Sequence, residues 1–235
     1  MTYKRVLLKL SGESLAGSSG TGFDSGMLAL YADEIRSIVE SGTQVAVVLG
    51  GGNIFRGLKG NTVRIDRIDG DYMGMLATII NSIALQSALS TIGIKARVLS
   101  GIAIDPIAEK ASGQRAEDSL KSGEVVILAG GTGNPFFTTD TAAALRAVEI
   151  HADVLLKGTR VDGVYTSDPE KDPAAVKFDS LSFDDAYSNG LNIMDLTAFT
   201  LCKENKLPVI VFNMHTAGNL KRIVNGEKIG TLVHE

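Results

Sequence analysis

The alternation of short Val- and Ile-rich runs with helical patterns places this 235-residue chain in the α/β class, with a mostly parallel sheet covered on both faces. The strand candidates are Arg5–Leu10, Gln44–Leu49, Lys95–Leu99, Val125–Leu128, Val154–Leu156 and Val209–Phe212. Between them Ser25–Glu40, Tyr72–Thr91, Pro106–Lys121 and Thr141–Ile150 read as helices, with Ser41-Gly42, Ile92-Gly93 and Ser122-Gly123 as stops. From about Gly158 the texture changes. Asp162-Gly163, Ser167-Asp168-Pro169 and Lys171-Asp172-Pro173 are turn signals. They are followed by helix candidates Ser182–Ser188 and Leu196–Asn205 and a short closing strand near Thr231–Val233, so the second half extends the sheet with some antiparallel strands. No proline-rich or low-complexity linker divides the chain, which reads as one domain over 1–235.

The Tyr72–Thr91 helix is apolar on more than one side. Met73, Leu76, Ala77, Ile80, Ile83, Ala84 and Ala88 form one stripe, while Met75, Ile79 and Leu85 lie off it. Such a helix is either deeply buried or at a subunit interface, and in a chain of this size the interface is the expectation.

Composition narrows the function classes. A net charge of −4 and a pI near 5.5 leave no basic stripe for nucleic acid. Cys202 is the single cysteine, expected as a small buried hydrophobe in a reducing cytosol. The first apolar run, Val6 to Leu10, is short and interrupted by Lys9, unlike a signal peptide, and no apolar run approaches membrane-spanning length. A cytoplasmic protein without membrane or nucleic-acid partners is the expectation.

Three loops follow strand candidates and converge if the strands are parallel. They are Lys9-Leu10-Ser11-Gly12-Glu13, Gly50-Gly51-Gly52-Asn53 with Arg56 beyond, and Gly130–Asp140, GGTGNPFFTTD. Together they offer an ammonium, a guanidinium, many backbone amides and the polar groups of Thr132, Asn134, Thr138 and Thr139, an inventory suited to phosphates. Asp140 is the expected N-cap of the helix after the third loop. Taken singly the residues are ambiguous. Lys9 fits a snorkelling surface lysine or a phosphate ligand; Arg56 a surface arginine or a ligand; Asp71 a helix cap or a partner for ribose hydroxyls. Asp168 before a proline reads by itself as a turn residue. There is no GxxxxGK[ST], no GxGxxG with a following acid and no GxSxG, and His151, His215 and His234 are scattered.

KLSGE at Lys9–Glu13, GGGNIFRG at Gly50–Gly57, GDYMGMLAT at Gly70–Thr78, GTGNPFFTTD at Gly131–Asp140 and VDGVYTSDP at Val161–Pro169 occur in that order. By these motifs the chain resembles the bacterial uridylate (UMP) kinases of the amino acid kinase superfamily, from about Tyr3 to the C-terminus. The resemblance implies a three-layer αβα sandwich and transfer of the ATP γ-phosphoryl group to UMP, with Mg²⁺ carried by ATP and no separate metal site assigned. It implies catalytic roles for Lys9, Arg56 and Asp140, the last positioning Lys9 or the metal. The ATP site would comprise Lys9, Leu10, Ser11, Gly12, Gly52, Arg56, Thr159, Tyr165 and Asp168. The UMP site would comprise Gly51, Arg56, Asp71 and Thr132, Gly133, Asn134, Pro135, Phe136, Phe137, Thr138 and Thr139. Thr132 and Asn134 would lie near the uracil, Thr139 near the phosphate and Asp71 on the ribose.

The family commonly forms hexamers as trimers of dimers, activated by GTP and inhibited by UTP. Gly17, Ser18, Ser19, Gly20, Thr21 and Gly22 occupy the place of its GTP-linked loop but carry no charge. Of the basic residues sometimes found at that effector site, Arg97 is present, whereas Gln86 and Ser90 are uncharged. Two rivals remain: a related kinase acting on a carboxylate, carbamate or small phosphate, and a nucleotide-binding storage or regulatory protein.

Overall fold

The computed structural model describes residues 3–56 and 65–235; Gly57, which ends the second motif, lies outside them. The first strands form where apolar runs allow burial on both faces. β1 (Arg5–Leu10), β2 (Gln44–Leu49), β3 (Ala96–Ser100), β5 (Val125–Ala129), β6 (Val154–Thr159) and β8 (Val209–Asn213) run parallel at the centre of one sheet. With β4 (Glu109–Lys110), β7 (Ser180–Ser182) and β9 (Thr231–His234) the order is β4-β3-β5-β2-β1-β6-β8-β9-β7. Of the strand pairs among the described residues, only β8–β9 is antiparallel.

Strand alternation sends side chains to two cores. Val6, Leu8 and Leu10 face α2 (Ser25–Val39), α3 (Arg67–Thr91) and α8 (Asn219–Val224). Leu7 and its neighbours face α4 (Gly113–Lys121), α5 (Thr139–Glu149), α6 (Phe183–Ser188) and α7 (Leu196–Glu204). The result is the three-layer αβα sandwich. α1 (Gly12–Leu15) is a single turn after β1.

Several elements depart from expectation. Pro106–Lys121 is not one helix: Glu109–Lys110 pairs with β3, and the helix begins only at Gly113. The reason is local, since the Ser112 hydroxyl accepts from Arg115 N and sets the N-cap there. α3 starts five residues earlier than its apolar pattern, because Asp66 accepts from Ile68 N and caps it. By length and composition alone α3 is long enough to cross a membrane. It instead sends Met75, Ile79, Leu85 and Leu89 into the protein interior. The stripe of Met73, Leu76, Ile80 and Ile83 stays outside, with Leu76 and Ile80 each 46% exposed. Thus Met75, Ile79 and Leu85, which lie off the stripe, face the core, and of the stripe itself Ala77 is buried and Ala88 packs against the core as well.

Candidate active site

The carboxyl ends of β1, β2, β5 and β6 lie on one edge, and four loops leave from it. Close backbone contact ties the first two together. Gly50 N donates to Leu10 O at 2.9 Å, and a Cβ on Gly12 would stand 2.3 Å from Gly50 O, so only glycine fits there. Leu10 itself buries its side chain in the core, so it offers a ligand no side-chain group.

α3 holds the second and third loops through buried polar side chains. Asn53 and Asn81 exchange amide hydrogen bonds at 3.0 and 2.7 Å, and Asn81 also donates to Gly50 O at 2.6 Å. The Thr78 hydroxyl accepts from Gly130 N at 2.9 Å. Sequence reading gives Asn81 and Thr78 no role, because polar residues inside an apolar helical pattern carry no signal of what they face.

At the centre of the edge sits an ion cluster. Lys9 and Lys157 are register partners on β1 and β6, and both project toward the α5 side of the sheet. Asp140 meets Lys9 Nζ at 2.7 Å with one carboxylate oxygen and Lys157 Nζ at 2.6 Å with the other. Lys157 Nζ also donates to Ile193 O at 2.5 Å. Burial alone would raise the Asp140 pKa, but the two ammoniums outweigh it and hold the carboxyl below its usual value. For Lys157 the balance is reversed: burial, assisted by Lys9, lowers its pKa despite the pull of Asp140. Lys157 is the functional candidate that sequence reading leaves out. Its run was expected to end at Leu156, whereas the strand continues to Thr159.

Asp140 is not the N-cap of α5. Thr138 takes that position, its hydroxyl accepting from Asp140 N and Thr141 N. This leaves Asp140 in the first turn, where its carboxylate is turned to the lysines. The Thr138 hydroxyl hydrogen goes to Asp195, so that side chain has no hydrogen left for a ligand.

Two cavities open on these loops, one lined by Thr139, next to Asp140, and the other by both lysines of the cluster. One, of about 650 Å³, is lined by Gly51, Gly52, Arg56, Asp71, Thr132, Phe137, Thr138 and Thr139, and also by Phe55, Arg67, Gly70, Gly74, Met75, Thr78 and Gly131. The other, of about 640 Å³, is lined by Lys9, Ser11, Glu13, Ser14, Lys157, Gly158, Thr159, Arg160 and His215. Gly17, Ser18, Gly20, Met27 and Arg56 complete it, so part of the Gly17–Gly22 segment opens on the same space as Lys9. Arg56 borders both cavities, with its Nε 3.2 Å from Gly52 O and 3.5 Å from Glu13.

Other expected residues are placed apart. Gly52, expected with ATP, lines the first cavity and not the second. Gly133, Asn134, Pro135 and Phe136 belong to the third loop without lining the cleft. Phe136 N donates to Asp71 at 2.7 Å, and Asp71 is further held by Arg67 Nε at 2.9 Å. Tyr165 pairs with Asp162, and Asp168 with Lys171 at 2.9 Å; neither lines the Lys9 cavity.

The chain matches known proteins over its full length. The chain is 58% identical over 232 residues to a uridylate kinase of Bacteroides thetaiotaomicron, spanning 99% of this chain and 98% of that protein. It is 60% identical over 232 residues to a uridylate kinase of Parabacteroides distasonis, with the same coverage. The crystal structure of UMP kinase from Bacillus anthracis has a TM-score of 0.96 at 41% identity, covering 100% of this chain and 97% of that one. The loops gathered on this sheet edge lie within a stretch, residues 4–213, that matches the amino acid kinase family model, and the chain belongs to that family.

Proposed function

We propose that this chain is a UMP kinase, transferring the γ-phosphoryl group of ATP to UMP to give ADP and UDP on the route to UTP and CTP. The observation that carries the reading is the Lys9–Asp140–Lys157 cluster, whose two lysines line one of two nucleotide-sized cavities that share Arg56, while Thr139, next to Asp140, lines the other. In this reading ATP enters the Lys9 cavity, where Ser11 and Thr159 present polar groups to it, while Gly12, which does not line it, keeps the loop close to Gly50. UMP enters the other cavity, with Asp71 on the ribose and Thr139, at the start of α5, near the phosphate. Tyr165 and Asp168 serve the nucleoside end of ATP only if their loop moves inward.

The reaction breaks the bond from the γ-phosphorus to its bridging oxygen and forms one to a UMP phosphate oxygen. That acceptor oxygen is already anionic near neutral pH, so the chain need supply no general base. What it supplies is alignment and positive charge along the line of transfer, from Lys9, Lys157 and Arg56. Asp140, engaged by two ammoniums, fits the role of holding them better than that of a metal ligand. Mg²⁺ would therefore arrive bound to the ATP phosphates and neutralise their charge.

The further properties rest on the same reading. Among the described residues all nine strands belong to one sheet, which supports a single domain over 1–235. The exposed Met73, Leu76, Ile80 and Ile83 stripe supports self-association through α3, with a hexamer and a cytoplasmic location as the family expectation; GTP and UTP are candidate effectors that the uncharged Gly17–Gly22 loop, Gln86 and Ser90 do not themselves support. The test is ADP production from Mg·ATP with UMP, dUMP, CMP, AMP, GMP and acetylglutamate. Turnover with UMP supports the assignment. Turnover with another acceptor alone discards it, and ATP binding without turnover favours a storage or regulatory protein.

A further inference from the structure

Asp195 has no part in either nucleotide cavity, yet several segments meet at it. As N-cap of α7 it accepts from Ala198 N at 3.0 Å. The same carboxylate accepts from the Thr141 hydroxyl at 2.9 Å and from the Thr138 hydroxyl. Capping a helix needs only one acceptor. The remaining bonds reach across to the N-terminal turn of α5, the turn that carries Asp140. Two residues before Asp195, the Ile193 carbonyl takes the ammonium of Lys157. The short segment 193–195 therefore grips Lys157 with its backbone and the Asp140 turn with a side chain.

We infer that Asp195 is a positioning residue for phosphoryl transfer: by fastening Thr138 and Thr141 it fixes the α5 turn from which Asp140 spans Lys9 and Lys157. The inference rests on the kinase reading, because alignment of the two ammoniums matters only if they face a transferring group. Asparagine separates this role from simple capping. It caps α7 as well as aspartate does. However, its amide turns an N–H toward a Thr138 hydroxyl whose lone pairs are already taken by Asp140 N and Thr141 N.

The experiment compares wild type, Asp195→Asn, Thr141→Val, Thr141→Ser and the Asp195→Asn/Thr141→Val double variant by kcat, by KM for ATP and UMP, and by Tm. We expect kcat of Asp195→Asn to fall about ten- to a hundredfold while both KM values and Tm stay near wild type. Thr141→Ser should recover most of what Thr141→Val loses, and the double variant should be no slower than the slower single one. Asp195→Asn with kcat within twofold of wild type overturns the inference. So do losses that track Tm, or losses that multiply in the double variant. Should Asp195→Asn fail to fold, the Thr141 pair alone decides: equal activity of Val and Ser overturns it. Absence of UMP turnover in wild type overturns the kinase reading and this inference together, whereas active wild type with an equally active Asp195→Asn overturns this inference alone.

Discussion

Lys9 and Lys157 stand side by side on neighbouring parallel strands and divide the two oxygens of a single carboxylate, Asp140. Two like charges this close repel, and the shared aspartate offsets that repulsion while leaving the cluster with a net positive charge. Replacing Lys9 or Lys157 by Ala should therefore lower kcat by roughly two to three orders of magnitude with little loss of fold. Steady-state rates with Mg·ATP and UMP check this, and a loss under tenfold for either lysine would refute its charge role.

Asp140 makes the cluster sensitive to acid. Its folded-state pKa lies below the ordinary 3.8, so the folded protein binds that proton less readily than the unfolded chain. The resulting stability is fully present above the unfolded value and is lost as pH falls through the folded one. Tm of wild type should accordingly drop more steeply than that of Asp140→Asn below about pH 4. Parallel pH–Tm curves for the two proteins would contradict the ion-pair account.

β1 and β2 run where the apolar residues run, and their sequence-read bounds coincide with the structure because nothing competes with burial there. The site was less legible. In Thr138-Thr139-Asp140 three consecutive residues favour helix starts, and pattern alone does not choose among them. Tertiary charge decides, since Lys9 and Lys157 draw the Asp140 side chain inward and leave the cap to Thr138. Lys157 escaped because it follows an apolar run read as ending at Leu156, although its alternation with Leu155 places it on the same face. The Glu109–Lys110 strand is too short and too charged to signal a strand, and Asp195 signals only a helix start.

The glycine contact between the first two loops should resist even a methyl group. Gly12→Ala would place its Cβ 2.3 Å from Gly50 O and force backbone apart, for an expected loss of about 2–4 kcal/mol. Denaturant unfolding measures it, and a change under about 0.5 kcal/mol would mean the loops yield easily.

Cys202 offers a probe of opening. Burial, with Asp140 and Asp195 nearby, pushes its thiol up to about 12. A thiol reagent at pH 8 should leave the native protein unlabelled and react on unfolding. Rapid native labelling would show that α7 separates readily from the sheet.

The Asn53–Asn81 pair has a broader consequence. Two amides that exchange equivalent bonds carry no charge and do not titrate, so neither acidity nor ionic strength alters their register. The frame that holds the glycine loop is thus indifferent to the conditions that the lysine–aspartate cluster feels most. Selection can retune the reactive charges of this sheet edge without loosening the scaffold that presents them.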